Sequence, residues 1–178
     1  MIIQIQLVHN PSSTILHYLI PALCRLNKLK LIKPTIFIMK KAIVFYQSKT
    51  GTTKNYAQEI GAYLQAKQID TLCVPVGEYR ENLLQDTDYI IMGCWTKGLM
   101  VLFQKPDEIW CDFAQKISVP IHTKVALFAT FKISTGSMFK NMAKYFGNAG
   151  NLSLPNLKSR NGRLSDKDKV ILDGFIEN

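Results

Sequence analysis

Beyond residue 39, short apolar runs alternate with stretches of helical period, so the sequence predicts an α/β fold: a doubly wound parallel sheet with helices on both faces. Three observations carry that expectation. The runs "AIVFY" (42–46), "DYIIMGC" (88–94) and "KVALFAT" (124–130) are almost continuously apolar, as strands covered on both faces must be. Between them the apolar period lengthens to that of a helix. Finally, a chain of 178 residues with 47% hydrophobic and 20% charged residues is a globular chain able to bury a core.

The elements follow in order. After "AIVFY", Ala57, Ile60, Gly61 and Leu64 recur at helical spacing and predict a helix from Thr52 to Lys67. "TLCVPV" (71–76) predicts a second strand, with Pro75 suited to its end or to a sheet edge. A short helix is expected around Arg80–Gln85, then the third strand at 88–94. Pro106 is expected to open a helix with Ile109, Phe113 and Ile117 on its apolar face. "KVALFAT" is the fourth strand, and "TGSMFKNMAKYFG" (135–147) a helix with Met138, Met142 and Tyr145 inward, stopped by Gly147. A last short strand falls near Leu152–Leu157. Ser165 and Asp168 resemble a capping box for a final helix bearing Ile171, Leu172, Phe175 and Ile176. In such a sheet, ligands sit beyond the carboxyl ends of the strands, which directs attention to loops 47–53, 93–105 and 130–137.

The net charge of +9 is unevenly spread. Residues 1–38 hold Arg25, Lys28, Lys30 and Lys33 and no acid; 22 basic residues less these four leave 18 against 13 acids in 39–178. The lysines are scattered without an arginine-rich run, so nucleic acid is not an expected partner. The apolar patch "TILHYLIPAL" is too short to span a bilayer, and its cations follow it, unlike those of a signal peptide. "MKKAIVFYQS" from Met39 reads as the start of a cytoplasmic protein. Residues 1–38 are therefore read as an extension outside the fold or a misplaced start, and 39–178 as the domain. A membrane role is expected only if 1–38 is a genuine leader. The cysteines form no CxxC pair and no metal-ligand spacing with the histidines, consistent with reduced thiols and no metal.

The turn "YQSKTGTT" (46–53) joins the first strand to the first helix. A helix N-terminus offers unpaired N–H groups and a partial positive charge, and hydroxyl side chains add donors. Gly51 lets backbone approach a ligand. Neither GxGxxG nor GxxxxGK[ST] is present, so neither a dinucleotide nor an ATP site is marked. A phosphate monoester held by neutral donors fits; so does a plain helix cap, which needs only one of these side chains.

"VFYQSKTGTTKNYAQEI" (44–60) resembles the phosphate signature of the flavodoxin family, with Val44, Phe45, Tyr46, Ser48, Gly51, Thr53, Ala57 and Ile60 in the pattern. The resemblance covers 39–178 and is similar to the short-chain members. It implies a flavodoxin-like five-stranded parallel sheet in the order 2-1-3-4-5, and FMN bound non-covalently. Carried over by position, the phosphate contacts are Ser48, Lys49 through its backbone, Thr50, Gly51, Thr52 and Thr53.

The resemblance also implies two loops around the flavin ring. The first is "GCWTKGLM" (93–100), with Cys94, Trp95, Thr96 and Gly98 as cofactor-binding residues. Trp95 fits either a flat π-system or the domain's own edge. Gly98 resembles the family glycine whose carbonyl turns toward the flavin, although the family reads Thr-Trp-Gly and this chain Trp-Thr-Lys-Gly. Cys94 itself reads as a packed small thiol. The second loop, "ATFKISTGS" (129–137), contributes Thr130 and Phe131.

Family members surround the flavin with acids, whereas the charged residues of these loops are Lys97, Lys105 and Lys132. That departure predicts a less negative flavin potential and an acidic partner or anionic substrate. No catalytic acid or base stands in the loops, which favours an electron carrier between a flavin or ferredoxin-type reductase and an acceptor redox enzyme. The alternative is an FMN-dependent oxidoreductase with its own substrate, of quinone or protoporphyrinogen type; a module that has lost FMN is the third reading.

Overall fold

The structure is a computed structural model that describes residues 39–99, 102–146 and 154–177. The extension expected at 1–38, the helix stop at Gly147 and the first part of the strand expected from Leu152 lie outside those residues. Strand β1 (Lys41–Gln47) has four consecutive side chains, Ala42 to Phe45, with no exposed surface. Helix α1 (Thr52–Ala66) buries Thr53, Tyr56, Ala57, Ile60, Gly61 and Leu64, the stripe a period of 3.6 produces. Next come β2 (Asp70–Pro75) and β3 (Tyr89–Trp95), separated by two single turns of 3₁₀ helix at Val76–Glu78 and Glu81–Leu84.

The chain then forms an antiparallel hairpin of β4 (Lys97–Leu99) and β5 (Leu102–Lys105), where only loop was expected. Both strands are too short to show alternation. Helix α2 (Glu108–Lys116), β6 (Lys124–Thr130), α3 (Met138–Ala143), β7 (Asn156–Ser159) and α4 (Asp166–Glu177) complete the order. Pro106 does not open α2. The cap is Asp107, whose carboxylate accepts from the Ile109 N–H at 3.2 Å, so the proline precedes it. Helix α3 is shorter than expected because Gly136 and Ser137 form a turn before it. The strand expected at 152–157 is observed at 156–159.

The main sheet runs β2-β1-β3-β6-β7 and is wholly parallel; counted by its own five strands, this is the order 2-1-3-4-5. Alternate residues feed opposite cores. Ile43, Phe45, Ile90, Met92, Leu127 and Ala129 pack against Trp110 and Phe113 of α2 and Met138 and Met142 of α3. Ala42, Val44, Tyr89, Ile91, Ala126 and Phe128 pack against Tyr56, Ile60 and Leu64 of α1 and Leu172 and Phe175 of α4. Helices on both faces leave the sheet open at its two ends. At the carboxyl end, Gln47, Trp95, Thr130 and Ser159 finish four adjacent strands, and the turns beyond them meet.

Candidate functional site

The β1–α1 turn begins with Ser48, whose Oγ accepts from the Gly51 N–H at 3.1 Å. Gly51 has φ +89°, the left-handed region that costs glycine little, and it is the N-cap of α1. A glycine cap brings no side chain to the helix end, and the first turn contains no acid. The amides at the start of α1 therefore keep their donors and the positive end of the dipole uncompensated by a side chain. Beside them lies a cavity of about 390 Å³, within the range of small-ligand sites. Lys49, Thr50 and Thr52 line it from this turn.

Its other walls come from neighbouring strands. Trp95 ends β3, and Thr96 follows with its N–H donating to the Thr130 carbonyl at 2.8 Å. Phe131 follows β6, its N–H donating to the Ser159 carbonyl at 3.2 Å. Each aromatic wall carries a cation: Lys49 Nζ lies 5.3 Å from the Trp95 ring centroid, and Arg160 Cζ lies 5.7 Å from that of Phe131. Lys97 and Lys132 complete the charged lining, which among the described residues contains no carboxylate. Lys97 leans on Glu108 at 2.9 Å. That hydrogen bond raises the Lys97 ammonium and lowers the Glu108 carboxyl relative to their ordinary values.

The expected residues divide by geometry. Lys49, Thr50, Thr52, Trp95, Thr96, Thr130 and Phe131 meet at the cavity. The Thr53 side chain is buried, and its hydroxyl lies 2.7 Å from that of Thr130. Ser48 and Gly51 shape the turn rather than the cavity wall, and Gly98 lies within β4. Cys94 is the packed small thiol the sequence suggests, and as a cofactor-binding side chain it is corrected: it has no exposed surface and packs with Phe113 and Ala129 in the core facing α2. Strand alternation sends its thiol away from Trp95, and burial pushes that thiol's pKa up.

Arg160 was not anticipated. It follows β7, an edge strand with a single buried apolar residue, Leu157, and so with little periodic signal. Its turn is tightly built: Ser159 Oγ accepts from the Gly162 N–H at 3.0 Å and donates to the Arg163 carbonyl at 2.8 Å. Gly162, at φ +79°, sits so close to α1 that a Cβ there would fall 2.6 Å from the Thr52 carbonyl. This contact brings Arg160 to the start of α1.

Thr96 Oγ1 is buried and has no hydrogen-bond partner among the described residues. An orphaned hydroxyl on the cavity wall costs stability unless a ligand satisfies it. The site thus offers an anion anchor, two flat apolar walls and an unmatched polar atom. Among the described residues, no group of three acidic, histidine or cysteine side chains is placed to hold a metal, and no helix is long and apolar enough to cross a membrane.

Comparison with known proteins bears on the family and the fold. The family described as "Flavodoxin domain" matches residues 43–145. A "Probable flavodoxin 1" of Bacillus subtilis (strain 168) is 33% identical over 60 residues, covering 34% of this chain and 38% of that protein. Among solved structures, oxidised Flavodoxin 1 from Bacillus cereus superposes with a TM-score of 0.54 at 17% identity, over 78% of this chain and 99% of that one. The rubredoxin oxygen:oxidoreductase of Desulfovibrio gigas gives 0.57 at 15% identity, over 77% of this chain but only 34% of that one. At these identities the two superpositions establish the shared fold.

Proposed function

The chain belongs to the flavodoxin family, and from that premise we propose that it carries electrons on FMN from a flavin or ferredoxin-type reductase to an acceptor redox enzyme in the cytoplasm. FMN-binding electron transfer is the property of the family; the direction and the partners are our reading. The observation that carries it is the α1 N-terminus, left without a side-chain cap, beside a cavity with two aromatic walls.

The residues present fit FMN. The phosphate is assigned to the free amides and the Thr50 and Thr52 hydroxyls, because a helix N-terminus and neutral donors favour an anion. Lys49 and Arg160 add charge neutralisation. Trp95 and Phe131 are assigned to the ring, which needs flat apolar surfaces, and the Thr96 hydroxyl to a polar edge of it. Thr53 and Thr130 bond to each other, and such a pair of hydroxyls retains one proton to donate. When bound, FMN supplies the redox chemistry, and the chain holds, orients and tunes it. No general acid or base is required of the protein, which is why a carrier fits better than an enzyme with its own substrate.

Titration of FMN and of riboflavin into purified, flavin-free protein tests the reading. FMN fluorescence quenches on binding, and riboflavin, lacking the phosphate, binds at least about a hundredfold more weakly, as expected if charge-assisted hydrogen bonds anchor it. Equal affinities, or none, overturn the assignment. NAD(P)H-driven reduction of an added acceptor must then depend strictly on a separate reductase; turnover without one favours the oxidoreductase reading.

A further inference from the structure

The mouth of the cavity carries a charge pattern that cofactor binding does not require. Among the described residues, Lys49, Lys97, Lys132 and Arg160 line it and no acid does. In the hairpin beside it, Lys97 and Lys105 stand directly opposite each other, a like-charge pairing that weakens a two-stranded ribbon. The Glu108 carboxylate moderates both, and Asp107 adds to its effect on Lys97.

Apolar side chains are exposed at positions close in sequence to these charged residues. Ile133, next to Lys132, is 50% exposed, and Ile109, next to Glu108, is 55% exposed. Phe103 in β5 is 83% exposed and has φ +57°, a left-handed backbone that bulky residues avoid. The fold gains little from holding an aromatic ring in solvent on strained backbone. Exposed apolar groups beside predominantly basic charge are the makeup of a protein-docking face.

We propose that this face receives a redox protein whose own surface is rich in carboxylates. Its acids meet Lys97, Lys132 and Arg160, and its apolar centre meets Phe103 and Ile133. A small anionic substrate would enter the cavity and leave Phe103 uncovered; a protein covers both. The proposal rests on the FMN reading, because only a ring in the cavity makes this the face for electron exchange. Its consequence is kinetic: attraction between opposite fields speeds encounter and weakens as salt screens it.

The test uses the full chain loaded with FMN, reduced anaerobically and mixed with one of two ferric protein probes, the acidic cytochrome b5 domain or the basic cytochrome c. Each reduced FMN passes two electrons to two cytochromes, one apiece, and releases one proton to solvent. The rate with cytochrome b5 is expected to fall about tenfold between roughly 10 and 300 mM salt, while that with cytochrome c rises. The double variant Lys97→Gln/Lys132→Gln lowers the low-salt cytochrome b5 rate about fivefold. Phe103→Asn, a residue that tolerates the left-handed region, lowers it at low and high salt alike. Lys116→Gln, at the far end of α2, changes it little. A faster reaction with cytochrome c at low salt overturns the proposal, and so does an equal loss from Lys116→Gln, which would show bulk charge at work. A chain that takes up no FMN overturns the carrier reading and this proposal together; one that binds FMN but prefers cytochrome c overturns this proposal alone. The salt slope of the unaltered chain decides the matter even if a variant fails to fold.

Discussion

Thr53 stands in the first turn of α1 and Thr130 at the end of β6, yet their hydroxyls lie 2.7 Å apart, each residue nearly sealed from solvent. Removing one hydroxyl leaves the other buried without its partner, a loss of about 1–3 kcal/mol. Thr53→Val is therefore expected to lower the unfolding free energy by that amount, and Thr53→Ser by much less, in urea titrations. A second residue-scale prediction concerns Arg160. The reduced ring is the more negative form, so a nearby cation stabilises it preferentially. Arg160→Gln is expected to bind reduced FMN roughly fivefold less well relative to oxidised FMN, moving the two-electron midpoint down by about 20 mV. Anaerobic redox titration reads this directly. An unchanged midpoint would mean that the guanidinium serves Phe131 alone.

Among the elements, the final helix shows local chemistry at work. Ser165 Oγ accepts from the Asp168 N–H at 3.2 Å, while the Asp168 carboxylate accepts from the Ser165 N–H at 3.1 Å and hydroxyl at 2.6 Å. This reciprocal cap was legible in the sequence, and Ser165→Ala is expected to cost about 1 kcal/mol in thermal or chemical denaturation. The strands β1, β3 and β6 were equally legible, because a strand covered on both faces must be a nearly unbroken apolar run. The hairpin was not, and β7 was legible as a strand but not in its bounds. Lys97–Leu99 and Asn156–Ser159 are three and four residues long, and their positions follow from pairing with distant chain rather than from their own pattern. The same division runs through the candidate site. Trp95, Thr96, Thr130 and Phe131 could be placed beside the cavity from the sequence because they end or follow legible strands. Arg160 did not stand out because its strand was obscure, and the side chain of Cys94, read also as a packed thiol, is turned into the core because alternation puts neighbouring side chains on opposite faces.

At the scale of the whole molecule, the cavity draws on the ends of β1, β3, β6 and β7 at once, so it exists only when these four adjacent strands are assembled. Ligand binding and global folding are then one equilibrium. FMN at a hundred times its Kd is expected to raise the unfolding free energy by about 2.7 kcal/mol, and the melting temperature by roughly 8 °C. Among the described residues, the buried residues of the two cores lie between Ala42 and Phe175. A chain begun at Met39 is accordingly expected to melt in one transition and to take FMN with unchanged affinity; loss of either would place part of the fold's support within 1–38. The threonine pair that ties the first turn to the end of β6 has one more consequence. It fixes, ahead of any arrival, the span between the anion anchor and the aromatic slot, so the protein acts as a caliper. A guest whose spacer between charged tail and flat head is too short or too long grips at one end only, and forgoes the gain in local concentration that simultaneous contact provides.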